Sequence, residues 1–87
     1  MIQNQKKIQK TNFIKELEGK PIEITSKFID PEKFFIFKGT LIETNKKFIV
    51  LKNAVILKNE KGKLEFIKNV RNLIIHESIV GYINEAE

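Results

Sequence analysis

Apolar and polar residues alternate along most of this chain, which is the pattern of β-strands with one buried face. The alternation starts at Ile22 and predicts a first strand running to about Phe28. Further strands are predicted in FFIFKGTLIE, in FIVLKNAVIL, in LEFI with VRNLIIH, and in IVGYI. The first half of FIVLKNAVIL is apolar on both faces, so both faces have to be covered. No β-α-β alternation and no internal repeat is visible, which favours five antiparallel strands.

Turn residues separate these strands at short intervals. The segments 30–33 (DPEK), 44–47 (TNKK) and 59–63 (NEKGK) all carry the residues that turns prefer. Gly39 lies inside the second strand, where glycine commonly marks a sharp bend or a close backbone approach. Five short strands with such a bend are typical of a small antiparallel barrel.

The chain before the first strand has a different periodicity. Residues 1–7 are polar and are expected to be frayed. Apolar residues then recur at near-helical spacing, Thr11 or Asn12 can serve as N-cap, and Gly19 lies where a helix would end. Pro21 prevents the helix from continuing. A short N-terminal α-helix is therefore predicted.

Composition limits the possible functions. The chain has 87 residues, one domain by length, with no cysteine and no Cys/His cluster, so self-association is a natural way to extend its small core. Its formal charge of +5 hints at a polyanionic partner, although Arg71 is the only arginine and an AT-rich genome would give a similar bias. We see no secretory signal and no apolar run of membrane-spanning length, so a soluble cytoplasmic protein is expected.

From about Asn12 to Ile83, the order of elements resembles the Sm-like family of Sm, Lsm and Hfq proteins. Residues 19–24 (GKPIEI) are similar to the start of the family's first motif, and Gly39-Thr40-Leu41 is similar to its G-x-L. Residues 45–55 (NKKFIVLKNAV) are similar to the corresponding Hfq strand without a gap. Residues 75–83 follow the apolar skeleton of the second motif, with His76 at its arginine position.

This resemblance implies a mainly β fold, with an N-terminal α-helix followed by a strongly bent five-stranded antiparallel small barrel. It also implies a homo-oligomeric ring of identical or related subunits, in which the last strand pairs with the fourth strand of the next subunit. The corresponding interface residues are Val80, Tyr82 and Ile83. An exposed apolar edge of this kind is a liability unless it is paired.

The family resemblance further implies that single-stranded RNA binds at turns facing the pore of the ring. The candidate RNA-binding residues are Asn45, Lys46, Lys47, His76 and Ser78, with Lys10 on the N-terminal helix. Each has an ordinary structural alternative: His76 could cap its turn, and the lysines could simply be solvated. Most of the phenylalanines are expected to serve the core or subunit contacts rather than base stacking.

The chain also departs from the family pattern. Asn45 replaces an acidic residue, Lys47 takes the base-stacking position, and Ile49 replaces a base-reading asparagine, while Glu77 adds negative charge near the expected phosphates. These changes predict weaker or less uridine-selective binding. They also leave open a second hypothesis, a divergent Sm-like scaffold or assembly subunit that binds protein partners.

Two other classes fit the sequence poorly. No serine, cysteine or carboxylate is paired with His76 by a sequence signature, and no glycine-rich phosphate loop is present, so neither an enzyme nor a cofactor or metal site is expected. An OB-fold would also bind single strands but usually places a helix between its third and fourth strands. The segment 59–63 is too short to hold one.

Overall fold

The computed structural model describes residues 15–27 and 32–86 of the chain. Within them, five strands form one antiparallel sheet in the order β4-β3-β2-β1-β5. The strands are β1 (Pro21–Ser26), β2 (Lys33–Thr44), β3 (Phe48–Glu60), β4 (Lys63–His76) and β5 (Val80–Glu85). A short 3₁₀-helix, Glu77–Ile79, joins β4 to β5. The mainly β, five-stranded antiparallel prediction is confirmed.

The predicted N-terminal α-helix falls mainly on residues 1–14, which lie outside the described part of the chain, as do Lys10 and the predicted frayed end. The described portion begins with two helical residues, Lys15 and Glu16, and continues into a turn. Gly19 has a φ of +88°, as suits a glycine that ends a helical turn. No helix among residues 15–27 and 32–86 is long and apolar enough to cross a membrane.

The core lies on one face of the sheet and draws on every strand. Its largest fully buried side chains are those of Ile22, Ile24, Leu41, Leu51 and Ile75. Leu17, from the turn before β1, packs into the same cluster and is also buried. The buried residues of β1, Ile22 and Ile24, occupy the alternating positions that the sequence pattern identifies as the buried face.

The β2–β3 ladder is irregular at Gly39, where its register shifts and the two backbones approach closely. A Cβ atom added to Gly39 of β2 would lie 3.1 Å from the Lys52 carbonyl oxygen and 3.2 Å from the Ala54 Cα atom. Those distances leave room for glycine and little else. Of the two roles predicted for Gly39, a bend or a close backbone approach, the structure shows the close approach of the β3 backbone.

At the same level, β3 changes the face that it buries. In β3, Leu51 and Ala54 are buried while the two residues between them are exposed, which breaks the period of two. Asn53 lies at this break with a φ of +53°, a left-handed conformation that asparagine tolerates. The β4 residues opposite, Arg71 and Asn72, are exposed too, as are most residues of this edge strand.

A tight hairpin joins β3 to β4. Its two loop residues, Lys61 and Gly62, have φ values of +55° and +83°. Two positive φ values in a two-residue loop define a type I′ turn, whose twist matches that of the flanking strands. This direct connection leaves no room for the helix that an OB-fold places after its third strand.

Candidate nucleic-acid interface

The turn between β2 and β3 is built around the side chain of Asn45. Its Oδ1 atom accepts hydrogen bonds from the backbone N–H groups of Lys47, at 2.7 Å, and Phe48, at 2.9 Å. The Asn45 N–H donates to the Phe48 carbonyl at 3.0 Å. This arrangement occupies the acceptor oxygen of Asn45 with the backbone and leaves the side chains of Lys46 and Lys47 exposed.

The turn after β4 is built around His76. Its Nδ1 atom accepts a hydrogen bond from the Ser78 N–H at 3.1 Å and lies 2.8 Å from the Ser78 hydroxyl oxygen. His76 is therefore the N-cap of the 3₁₀-helix, which is the structural alternative weighed for it. Because a backbone N–H can only donate, Nδ1 must be the acceptor, and the proton of the neutral ring lies on Nε2. The exposed ring thus keeps one N–H donor for a ligand.

These two turns are joined to each other. The Glu77 N–H donates to the Lys47 carbonyl at 2.8 Å. Phe48 and His76 are register partners at the ends of β3 and β4, and their ring centroids lie 5.5 Å apart in an edge-to-face contact. The predicted candidates Asn45, Lys46, Lys47, His76 and Ser78 are therefore brought together, and we call residues 45–47 and 76–78 the turn surface.

The turn surface is exposed and carries more positive than negative charge. All six of its residues are solvent-exposed. Lys46 and Lys47 supply two ammonium groups and Glu77 a single carboxylate, and the Glu77 backbone is fixed by the bond to Lys47. A planar ring with an outward N–H, next to two cations, is the chemistry that holds a phosphate or stacks on an unpaired base.

The structure also places the residues at which the chain departs from the family pattern. Ile49 is only 2% exposed and belongs to the core. Its side chain is therefore not accessible to a ligand. Lys47 is exposed and remains accessible.

Phe48, one of the phenylalanines that were mostly expected to serve the core or subunit contacts, lies next to the turn surface. Its side chain is 39% exposed and contacts His76 at the ring edge. The alternation of β3 could not identify this role, because Phe48 is the first residue of the strand. The pairing of Phe48 with His76 depends on the β3–β4 register, and no local pattern encodes that register.

The predicted interface residues of β5 differ in exposure. Val80 is buried in the chain's own core, and Ile83 packs against that core. Tyr82, in contrast, is 57% exposed. Among these three residues, Tyr82 is the one that presents most of its side chain to a neighbour.

Both edges of the sheet are open within residues 15–27 and 32–86, where β4 pairs only with β3 and β5 only with β1. Several large apolar side chains on β4 are exposed, and Ile79 and Tyr82 are exposed on and beside β5. Those on β4 are Leu64, Phe66, Ile67 and Ile74. Unpaired sheet edges with exposed apolar side chains commonly pair with a strand of another chain.

No protein-family model matches this chain. No curated protein is similar to it at a significant level.

Proposed function

We propose that the chain is an Sm-like subunit that assembles into a homo-oligomeric ring and binds single-stranded RNA through the turn surface. The observation that carries this proposal is the joining of two separate turns, by the Glu77–Lys47 hydrogen bond and the Phe48–His76 contact, into one exposed basic patch. The turn surface has the features of a binding module, and the chain is proposed to have no catalytic role.

Preorganisation supports the RNA-binding part of the proposal. The Asn45 and Ser78 hydrogen bonds fix the two turns without using the Lys46 and Lys47 ammonium groups or the Nε2–H of His76. A ligand would therefore meet donors that are already in place, and ordering them would cost little entropy on binding. Single-stranded RNA needs such donors next to a flat ring.

The open edges support the ring. Tyr82 on β5 and Phe66 on β4 lie on the same face of the sheet, because they are the two ends of one row of register partners. That row runs Tyr82, Thr25, Ile36, Leu57, Phe66. If β5 of one subunit pairs with β4 of the next, the contact is head-to-tail and can close into a ring. Every subunit would then repeat the turn surface around one opening.

The proposed binding is phosphate-dominated with weak base selectivity. Ile49 is buried, and the acceptor oxygen of Asn45 is occupied by two backbone N–H groups. These two positions offer little to distinguish one base from another. Contacts from Lys46 and Lys47 to phosphates would make affinity strongly dependent on salt.

The test is to measure the anisotropy of labelled oligouridine and oligoadenine at two salt concentrations. We expect binding to both strands, with a salt slope that falls by roughly 1.4 in the double variant Lys46→Gln/Lys47→Gln, since two phosphate contacts are lost. If the His76 imidazole stacks on a base, His76→Ala should weaken RNA binding about tenfold. The matched control, Lys61→Gln/Lys63→Gln, removes two lysines at the β3–β4 hairpin and should leave the affinity nearly unchanged.

Absence of binding to either strand at low salt would remove the RNA-binding proposal. An unchanged affinity in His76→Ala, with the lysine effect intact, would remove only the role of His76. If the hairpin control weakens binding as much as the turn variant, the charge of the whole chain and not the turn surface is responsible.

A second candidate function is that of an Sm-like scaffold subunit that binds protein partners without reading RNA. The specific observation in its favour is the exposed apolar set on β4, which includes Leu64 and Phe66 near the hairpin. A protein partner that stays bound to the purified chain after nuclease treatment, and is lost in Leu64→Ser/Phe66→Ser, would support it. Recovery of RNA alone would favour the first proposal.

A further inference from the structure

The bend of β3 and β4 forms a second polar surface, separate from the turn surface. A cleft of about 300 Å³ lies there, lined by Asn53, Ala54, Asn69, Val70 and Arg71. We call it the bend cleft. Asn53 and Arg71 face each other across the ladder, between the register pairs Lys52–Asn72 and Ala54–Val70.

The change of face explains why polar groups gather at this level. A regular strand would point every second side chain into the core. Here the left-handed conformation of Asn53 lets Lys52 and Asn53 both remain exposed between two buried residues, and Arg71 and Asn72 are exposed opposite them. Two amides and two cations are thus exposed at the same level of the sheet.

Among residues 15–27 and 32–86, Arg71 is the one charged residue that lines the bend cleft. The two facing segments, residues 52–55 (KNAV) and 68–72 (KNVRN), contain three cations and three asparagines but no carboxylate. Arg71 is the only arginine of the chain. Its planar guanidinium offers paired N–H donors that match two oxygens of an oxyanion, and asparagine amides add neutral donors.

We propose that the bend cleft binds a phosphate group, held by the Arg71 guanidinium and the side-chain amides of Asn53 and Asn69. The phosphate could belong to a free nucleotide or to an RNA backbone, and only the RNA source rests on the function proposed above. Arg71 is five residues before His76 on β4, which corresponds to roughly 16 Å along the strand. The bend cleft is therefore a second contact point and not an extension of the turn surface.

Ring assembly and ligand binding are compatible at this position. Strand pairing at the edge of β4 uses backbone N–H and C=O groups. The bend cleft uses the side chains of Asn53, Asn69 and Arg71, which are exposed to solvent. β4 has 14 residues and β5 has 6. Part of β4 therefore stays uncovered when the two strands pair.

The test is a titration of the uniformly ¹⁵N-labelled full chain in which the amide chemical shifts are monitored by NMR. The probes are inorganic phosphate, uridine monophosphate, uridine without phosphate, and oligouridine. We expect saturable shifts of the amide signals of residues 53, 69 and 71 with at least one phosphate-bearing probe and none with uridine. Arg71→Gln should weaken this binding about tenfold, as loss of a charge-assisted hydrogen-bonding pair predicts. Arg71→Lys, which keeps the charge but not the paired donors, should lie between Arg71→Gln and the wild type.

The matched control is Lys63→Gln, which removes one exposed cation from the hairpin and should change the affinity less than twofold. The proposal is overturned if no phosphate-bearing probe shifts the cleft amides, or if Arg71→Gln binds like Lys63→Gln. Shifts with inorganic phosphate and uridine monophosphate identify a free anion as sufficient, whereas shifts with oligouridine alone identify an RNA backbone; both support the site.

The two proposals can fail separately. If Lys46→Gln/Lys47→Gln abolishes oligouridine binding while Arg71→Gln leaves it unchanged and phosphate gives no cleft shifts, the turn surface is retained and the bend cleft is rejected. If phosphate or uridine monophosphate binds at the cleft while oligouridine does not bind the chain at all, the RNA function is rejected and the bend cleft is retained.

Discussion

Asn45 organises the β2–β3 turn through one side-chain oxygen that accepts two backbone hydrogen bonds. Replacing it with alanine should destabilise the chain by about 0.5–2 kcal/mol, the range found when a side-chain cap of orphan N–H groups is removed. Asn45→Asp keeps an acceptor oxygen in the same place and should cost much less. Urea unfolding of the two variants checks this, and equal midpoints for both would contradict the role given to the oxygen.

Gly81 lies where the β1 backbone comes closest to β5. An added Cβ atom would sit 2.7 Å from the Thr25 carbonyl oxygen and 3.0 Å from that of Ser26. Gly81→Ala should therefore force the strands apart and destabilise the chain by about 1–3 kcal/mol. Asn84→Ala, an exposed position on the same strand, should change stability by less than about 0.5 kcal/mol. Thermal unfolding that ranks the two variants the other way would refute the close approach.

At the residue scale, the sequence could identify the members of the turn surface but not how they are fixed. Asn45 and His76 stand out as a turn residue and as the only histidine. The hydrogen bond from Glu77 to Lys47 joins residues 30 positions apart. Such a contact follows from strand register, which depends on the whole sheet. Sequence reasoning could therefore propose the surface without its internal geometry.

At the scale of elements, the β3–β4 hairpin has an unusual loop residue. Lys61 adopts a φ of +55° in a type I′ turn, where asparagine is strongly preferred because it tolerates the left-handed region. Lys61→Asn should raise the free energy of unfolding by up to about 1 kcal/mol, and Lys61→Val should lower it, because a β-branched side chain is disfavoured at positive φ. Chemical denaturation of the pair tests the turn type; a stabilising valine would contradict it.

The alternation of apolar and polar residues predicts the strands. It predicts the irregularity of β2 and β3 only in part. Gly39 signals a bend in β2, since glycine inside an alternating run needs a reason. The left-handed Asn53 gives no such signal, because asparagine is also common in ordinary exposed positions. Leu51 and Ala54 are both buried, although they are three positions apart. In the sequence, apolar residues at this spacing fit a strand that is covered on both faces and equally a strand that changes its buried face.

At the scale of the whole molecule, the open edge of β4 determines how subunits would meet. Ile74 is 64% exposed on that edge, so Ile74→Glu should leave the folded monomer stable while placing a charge in the proposed contact. We expect the variant to lose assembly, as measured by sedimentation velocity. Ile42→Glu alters an exposed isoleucine on β2, away from both edges, and should assemble normally. Equal assembly of the two variants would exclude the β4 edge as the contact.

At the opposite edge, the sequence pattern of β5 does not decide which of its side chains are buried. Val80, Tyr82 and Ile83 are all apolar or aromatic, and alternation alone does not say which face of β5 the core covers. In the structure, β5 pairs with β1 so that Val80 and Ile83 turn inward and Tyr82 outward. The register shift between Thr25 and Ser26 allows Val80 and Ile83, which are three positions apart, to share the buried side.

The mass of the purified chain in solution tests the central claim most directly, since both the pairing of open edges and the gathering of turn surfaces depend on assembly. Light scattering coupled to size exclusion gives this mass without reference to shape. The account predicts a closed assembly of several 10.2 kDa subunits whose mass is independent of concentration once formed. A single 10.2 kDa species persisting at high protein concentration would contradict it.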